Sequence, residues 1–271
     1  MKTLPETQYT LITGASSGIG KAIAEECSKR KMNLFLVALP DSGLELIAEE
    51  LCRKFGIAVQ CFGVDLTEKD GPQKVYNYAL AAGITVNILI NNAGIGNLGD
   101  FENQEFKNID DIILLNIRAA TLLTRLFLND LMMLPSAYIL NMSSFGAFAP
   151  IPLKSVYAAT KTYLWFFTKS LSVELKETNI KVASMHPSGV ATNQRITESM
   201  KNTSFSAKIT VLRPEYVAAI AIKNLLKGKN LIIPGIPTKI FFSLGYIMPY
   251  FLILYFISKI FSKGKSTAIT K

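Results

Sequence analysis

The 271 residues predict one α/β domain, a doubly wound sheet of about seven parallel strands flanked by helices, followed by an apolar C-terminal tail. Two observations carry this expectation. Short, near-continuous apolar runs recur along the chain, as in strands buried on both faces. Longer segments with helical periodicity separate them, and sustained strand–helix alternation gives parallel strands joined by right-handed crossovers. The length suits one large domain better than two small ones. A hydrophobic content of 49% excludes a disordered chain, and 17 Gly with 11 Pro exclude a fibrous one.

Segments 9–13, 33–38, 58–63, 86–91, 137–142, 181–185 and 230–233 read as strands. Segment 21–31 reads as the first helix, with apolar Ala22, Ile23, Ala24 and Cys27. Segment 44–55 places Leu44, Ile47, Ala48, Leu51, Cys52 and Phe55 on one helical stripe. Segment 109–134 is long and apolar, and Pro135 stops it. Segments 157–177 and 214–227 complete the helices; Pro214 suits a first turn and Gly228 a C-terminal stop. Segment 190–208 breaks the alternation. It is polar, weakly periodic and follows a strand, so a mobile lid over a ligand is expected there.

The formal charge is +9, and five of the 29 basic residues but none of the 20 acidic ones lie in 239–271. A charge concentrated in the tail is not a nucleic-acid footprint. Cys27, Cys52 and Cys61 lack metal-ligand spacing and read as reduced thiols; no metal site is expected. The N-terminus shows no apolar stretch before Tyr9, so no secretory signal is expected.

Chemistry begins where the first strand ends. Gly14, Gly18 and Gly20 allow a tight turn and a close backbone approach, and the helix that follows offers unpaired N–H groups to a phosphate. Thr13-Gly14-x-x-x-Gly18-x-Gly20 resembles the cofactor motif of the short-chain dehydrogenase/reductase family, a Rossmann-type fold. Asp65 in Val64-Asp65-Leu66, the run Asn91-Asn92-Ala93-Gly94, Tyr157-x-x-x-Lys161 and Pro187-Ser188-Gly189-Val190 with Thr192 match further family motifs in the same order. The resemblance covers about residues 8–235. It implies NAD or NADP held by Gly14, Ser16, Ser17, Gly18, Ile19, Gly20, Asp65, Leu66, Asn92, Ala93, Gly94, Tyr157, Lys161, Pro187, Gly189, Val190 and Thr192.

Tyr157 and Lys161 are four apart and share one face of a helix. A free phenol titrates near pH 10, and a nearby ammonium lowers that value. The resemblance implies that Tyr157 moves the proton while Lys161 holds the nicotinamide ribose. Ser144, 13 residues before Tyr157, is implied as the residue that steadies the substrate oxygen; Ser143 is the runner-up. Asn116 matches the family's helix Asn, which shapes a kink and holds a water for proton relay. Bland readings stand beside these. Asn91 and Asn92 serve backbone groups, His186 is structural or a pocket wall, and Trp165 belongs to the core.

The second strand ends Val37-Ala38-Leu39-Pro40-Asp41, with neither the acid that binds a ribose 2′-OH nor the Arg that accepts a 2′-phosphate at the usual places. Asp41 and the set Ser16, Ser17 and Lys21 pull in opposite directions, so the choice of NAD or NADP stays open.

Residues 240–258 carry no charge and are dominated by Phe, Tyr, Ile and Leu, with Lys239 before them and Lys259, Lys263 and Lys265 after. A membrane span, an anchor lying on a bilayer, and a cap over the cleft or an interface are the three readings. Ser243, Gly245 and Pro249 interrupt a span, and association with a membrane surface on the cytoplasmic side is favoured. The chain thus divides into a catalytic domain, 1–238, and a tail, 239–271. Gly20–Glu26 and Arg213–Val217 resemble the branch of long-chain 3-ketoacyl-CoA reductases and 17β-hydroxysteroid dehydrogenases. The resemblance implies oxidoreduction of a carbonyl/alcohol pair in an apolar substrate and a homodimer or homotetramer. A non-catalytic dinucleotide-binding or membrane scaffold is the alternative.

Overall fold

A computed structural model describes residues 8–190 and 211–247, together with 251–252 and 254–255. Seven strands, β1 (Gln8–Thr13), β2 (Asn33–Ala38), β3 (Val59–Gly63), β4 (Thr85–Asn91), β5 (Ala137–Met142), β6 (Ile180–Met185) and β7 (Leu231–Ile232), form one sheet. Their order is β3-β2-β1-β4-β5-β6-β7, and every pairing is parallel. The chain winds outward from β1 to β3, then returns to β4 on the other side of β1. That reversal opens a crevice at the C-terminal ends of β1 and β4, where ligands of such sheets bind.

Alternate strand residues face opposite layers. Ile12, Leu34, Leu36, Ile88 and Ile90 pack with helices α1 (Gly18–Lys29) and α2 (Leu44–Phe55). Leu11, Phe35, Val37 and Leu89 pack on the other face with α3 (Gly71–Ala81). Both cores are apolar, the second with Phe35 and Phe127 among its aliphatic residues, so the sheet is buried on both sides and its strands read as apolar runs.

The helices depart from expectation in instructive places. Helix α1 begins at Gly18, inside the glycine turn rather than after it. Helix α3 is unannounced by periodicity. Its apolar residues Val75, Tyr76, Tyr78, Ala79 and Leu80 form no clean stripe, and only Asp70-Gly71-Pro72 marks its start. The single helix expected over 109–134 is three pieces: α4 (Phe106–Ile113), a π-helical turn (Leu114–Ala119) and α5 (Ala120–Met132). Helix α6 (Ser155–Glu174) starts two residues before Tyr157, and α7 (Pro214–Leu225) starts at Pro214. Helix α8 (Ile236–Ile247) runs across residues 238 and 239 without a break.

Val190 forms an isolated parallel bridge with Leu212, and the Leu212 amide donates to the Gly189 carbonyl at 2.9 Å. The two ends of the polar insertion are thus clamped together. Most of the expected lid, and with it Thr192, lies outside the described residues. Among the described residues no helix is long and apolar enough to cross a membrane, and no His/Cys/Asp/Glu cluster could hold a metal.

Candidate active site

The glycine turn is built by close packing. Gly14 and Gly18 have φ values of +64° and +53°, a region that L side chains rarely adopt. A Cβ on Gly20 would lie 2.1 Å from the Gly14 carbonyl oxygen and 2.6 Å from Asn92 Nδ2. Asn92 in turn donates through Nδ2 to the carbonyls of Thr13 (2.9 Å) and Gly14 (3.3 Å). The backbone N–H groups of Asn92 and Ala93 donate to Thr13 Oγ1. The ends of β1 and β4 are therefore stapled to each other, and the turn is held open toward the crevice. Ser17, the N-cap of α1, makes no side-chain cap, and no acid occupies the first turn. An uncapped helix start beyond a side-chain-free turn fits the pyrophosphate of a dinucleotide.

Asn91 points elsewhere. Its Nδ2 donates to Asn141 Oδ1 (2.8 Å) and Thr124 Oγ1 (3.0 Å), and Asn141 donates to Thr168 Oγ1 (2.8 Å). This buried polar chain ties α5, β4, β5 and α6 together. Asp65 holds its own turn, accepting from the backbone N–H and the hydroxyl of Thr67, while Leu66 is core.

Ser144, Tyr157 and Lys161 converge at the end of β5. Ser144 is near enough to the Tyr157 phenol to favour its ionised form. Ser144 Oγ also accepts from the Gly146 amide at 3.1 Å, which orients it. Ser143 lies apart from the phenol and donates its hydroxyl to the Lys161 carbonyl. Lys161 is buried, donates to the Met142 carbonyl at 2.9 Å and sits 5.7 Å from the centre of the Tyr157 ring. Burial pushes its pKa down to about 8. Burial also raises the Tyr157 phenol. The influence that opposes burial of the phenol comes from Ser144.

Asn116 occupies the π turn and is fully buried. It clamps the segment after β4: Oδ1 accepts from the Ile95 amide at 2.9 Å, and Nδ2 donates to the Ile95 carbonyl at 2.9 Å. Nδ2 also donates to Thr160 Oγ1, whose hydroxyl donates to the Tyr157 carbonyl. A Cβ on Gly94 would lie 3.0 Å from Asn116 Oδ1 and 3.1 Å from Lys161 Nζ. Gly94 thus brings backbone to within reach of both groups.

Two contributors, Gly96 and Thr160, escaped the sequence reading, and His186, read there as structural or a pocket wall, has a definite place. Gly96 abuts the phenol, since a Cβ there would lie 2.9 Å from Tyr157 Cδ2. The doublet Gly94-x-Gly96 is the one signal that marks it. Thr160 carries no sequence signal, since a Thr in a helix is ordinary. His186 lies behind Ser144, with Nδ1 3.1 Å from the Ser144 carbonyl oxygen and Nε2 2.9 Å from Ser184 Oγ. Its ring stacks on Phe148 at 4.5 Å. Trp165 packs edge-on against the same Phe148, with Phe242 of α8 on the other side of the cluster.

Pro187, Gly189 and Val190 follow β6 at the same edge of the sheet, and the Pro187 carbonyl accepts from the Phe145 amide. The glycine turn, Asn92–Gly94, Ser144, Tyr157, Lys161 and Pro187–Val190 therefore lie at the C-terminal ends of β1, β4, β5 and β6, while Asp65 and Leu66 follow β3 and hold their own turn and the core.

Comparison with known proteins agrees with this geometry. Very-long-chain 3-oxoacyl-CoA reductase from Bos taurus is 32% identical over 193 residues, covering 68% of this chain and 60% of its own. The chain thus spans about three-fifths of that relative's length. Mouse 17-beta-hydroxysteroid dehydrogenase type 3 is 30% identical over 247 residues, covering 87% and 78% of the two chains. Among solved structures, a short-chain dehydrogenase from Sphingobium yanoikuyae in complex with NADPH is similar at 30% identity and a TM-score of 0.74, covering 84% of this chain and 88% of its own. A family model described as short chain dehydrogenase matches residues 8–203. With most of the sheet and the Tyr157–Lys161 pair inside that match, the chain belongs to the short chain dehydrogenase family.

Proposed function

We propose that this protein is an NAD(P)-dependent oxidoreductase that interconverts a carbonyl and an alcohol on an apolar substrate. One observation carries the reading: the buried Lys161, its Nζ 5.7 Å from the centre of the Tyr157 ring one helical turn back, beside Gly94 and Gly96 and the glycine turn that forms a phosphate cradle. When bound, NAD(P) supplies or accepts the hydride. Tyr157 gives its proton to the ketone oxygen in the reductive direction and takes it back in the oxidative one. Ser144 donates a hydrogen bond to that oxygen and keeps it beside the phenol. Lys161, through its ammonium, holds the nicotinamide ribose. Asn116 fixes the backbone at Ile95 and so keeps the crevice floor in place.

The segment after Ser144 is apolar: Ala147, Phe148, Ala149, Pro150 and Ile151 line a cavity of about 820 Å³ that Leu254 of the tail also borders, and Tyr157 and Lys161 lie outside that lining. The names of the bovine and mouse relatives point to acyl-thioester and steroid ketones as the first compounds to try. At the end of β2, Ala38 is buried and Leu39 exposed, so neither cofactor is selected by a side chain there. A homodimer or homotetramer through α5 and α6 accords with exposed Met132 at the end of α5 and Tyr163, Phe166 and Val173 on α6.

Nicotinamide fluorescence titration with NADH and NADPH, followed by turnover assays on apolar ketones, tests the proposal. Tyr157→Phe is expected to leave cofactor affinity within a few-fold while turnover falls by about 10²–10⁴. Failure of the folded protein to bind either cofactor would instead favour a scaffold, and equal turnover in the Tyr157→Phe variant would remove Tyr157 from the proton transfer.

A further inference from the structure

Helix α8 has two unlike faces. Thr238 is buried, and Phe242, one turn on, packs against Phe148 at 4.5 Å and Trp165 at 6.3 Å. That contact fixes which side turns inward. The other side carries Ile236, Ile240 and Leu244, at 74%, 54% and 50% exposure. Steps of four residues keep them along one side of the helix, since each step advances only about 40°.

The charge around this surface is one-sided. Lys239 is exposed between Ile236 and Ile240. After Glu215 the sequence contains eight lysines and no Asp or Glu. An apolar helix face flanked by the exposed Lys239, in a stretch of sequence without acidic residues, complements a bilayer interface with anionic headgroups. A second copy of this chain complements it poorly, because a two-fold contact would bring the two Lys239 side chains together with no carboxylate of this stretch to pair them.

We propose that helix α8 docks on an anionic lipid bilayer, lying in the plane of the interface. Ile240 and Leu244 then enter the headgroup–acyl boundary, and Lys239 meets lipid phosphates. This docking does not depend on the oxidoreductase reading, and its test uses no activity.

The full-length protein is sedimented with vesicles of phosphatidylcholine alone or mixed with phosphatidylserine, at low and high salt. Partitioning is expected to rise at least about tenfold with the anionic lipid and to fall as salt rises. The Ile240→Asp/Leu244→Asp variant is expected to lose at least about tenfold in partitioning with an unchanged melting temperature, since both residues are exposed. Lys239→Gln, which leaves the apolar face intact, is expected to weaken binding by a few-fold. Absence of sedimentation, indifference to anionic lipid, or unchanged binding of the double variant would each overturn the proposal. So would a solution dimer that the double variant dissociates, which would assign the face to a second copy.

Discussion

His186 illustrates how far one side chain can be read once its neighbours are known. A carbonyl oxygen can only accept, so Nδ1 carries the proton that bonds Ser144, and Nε2 accepts from the Ser184 hydroxyl. Burial lowers the imidazole pKa from 6.5 to about 4, the Lys161 charge adds to this, and the bond to Ser144 opposes it. The unfolded chain therefore binds a proton that the folded chain refuses. Stability is fully present above about pH 6.5 and is lost as pH falls toward about 4, by at most roughly 3 kcal/mol from this group. Urea unfolding across pH 4–7 should show that loss, and His186→Gln should remove much of it. An identical pH dependence in the variant would mean that other groups dominate. Ser144 and Ser143 show the same point. They are adjacent and chemically alike, yet Ser144 meets the phenol and Ser143 caps the Lys161 carbonyl. The spacing to Tyr157 singled out Ser144; His186 as its support had no sequence signal beyond being the one His.

At the scale of elements, the π turn decides where Asn116 points. A continuous α-helix over 109–134 is the natural reading of an apolar run, and periodicity alone does not reveal a widened turn. In the structure the Leu114–Ala119 turn carries Asn116 to the backbone of Ile95, where it replaces the pairing that β4 loses as it leaves the sheet. Asn116→Ala would leave both the N–H and the C=O of Ile95 unpaired. A loss of about 2–4 kcal/mol is expected on denaturant unfolding, with faster hydrogen exchange at Ile95. A cost below about 0.5 kcal/mol would show that water replaces the clamp at little penalty. Helix α3 failed to announce itself for the opposite reason. Its aromatic residues pack sideways, Tyr78 on Phe35 and Phe62 and Tyr76 edge-on to Phe127, so they do not form the narrow stripe that periodicity detects.

Across the whole molecule, the tail and the site share one aromatic cluster. Phe242 bears on Phe148, Phe148 stacks on His186, and His186 bonds the Ser144 carbonyl. Helix α8 is thus packed against the support of the site through half-buried rings. Phe242→Ala is expected to cost about 1–2 kcal/mol and to speed proteolysis within 236–255, with the sheet core unchanged. Measuring both together separates detachment of α8 from global unfolding; equal proteolysis in variant and parent would show that other contacts hold the helix.

The order of strands and helices, the glycine turn and the Tyr157–Lys161 spacing were legible in the sequence by itself, because apolar runs, turn chemistry and a four-residue helical step are local properties. The sheet order, the π turn and the company each polar group keeps were decided only in the tertiary structure. Which of two serines meets Tyr157, which amide Asn116 clamps and which face of α8 is left exposed all depend on residues far apart in the chain. Hydrogen bonds and burial are settled by proximity in space, and no one-dimensional pattern carries that information.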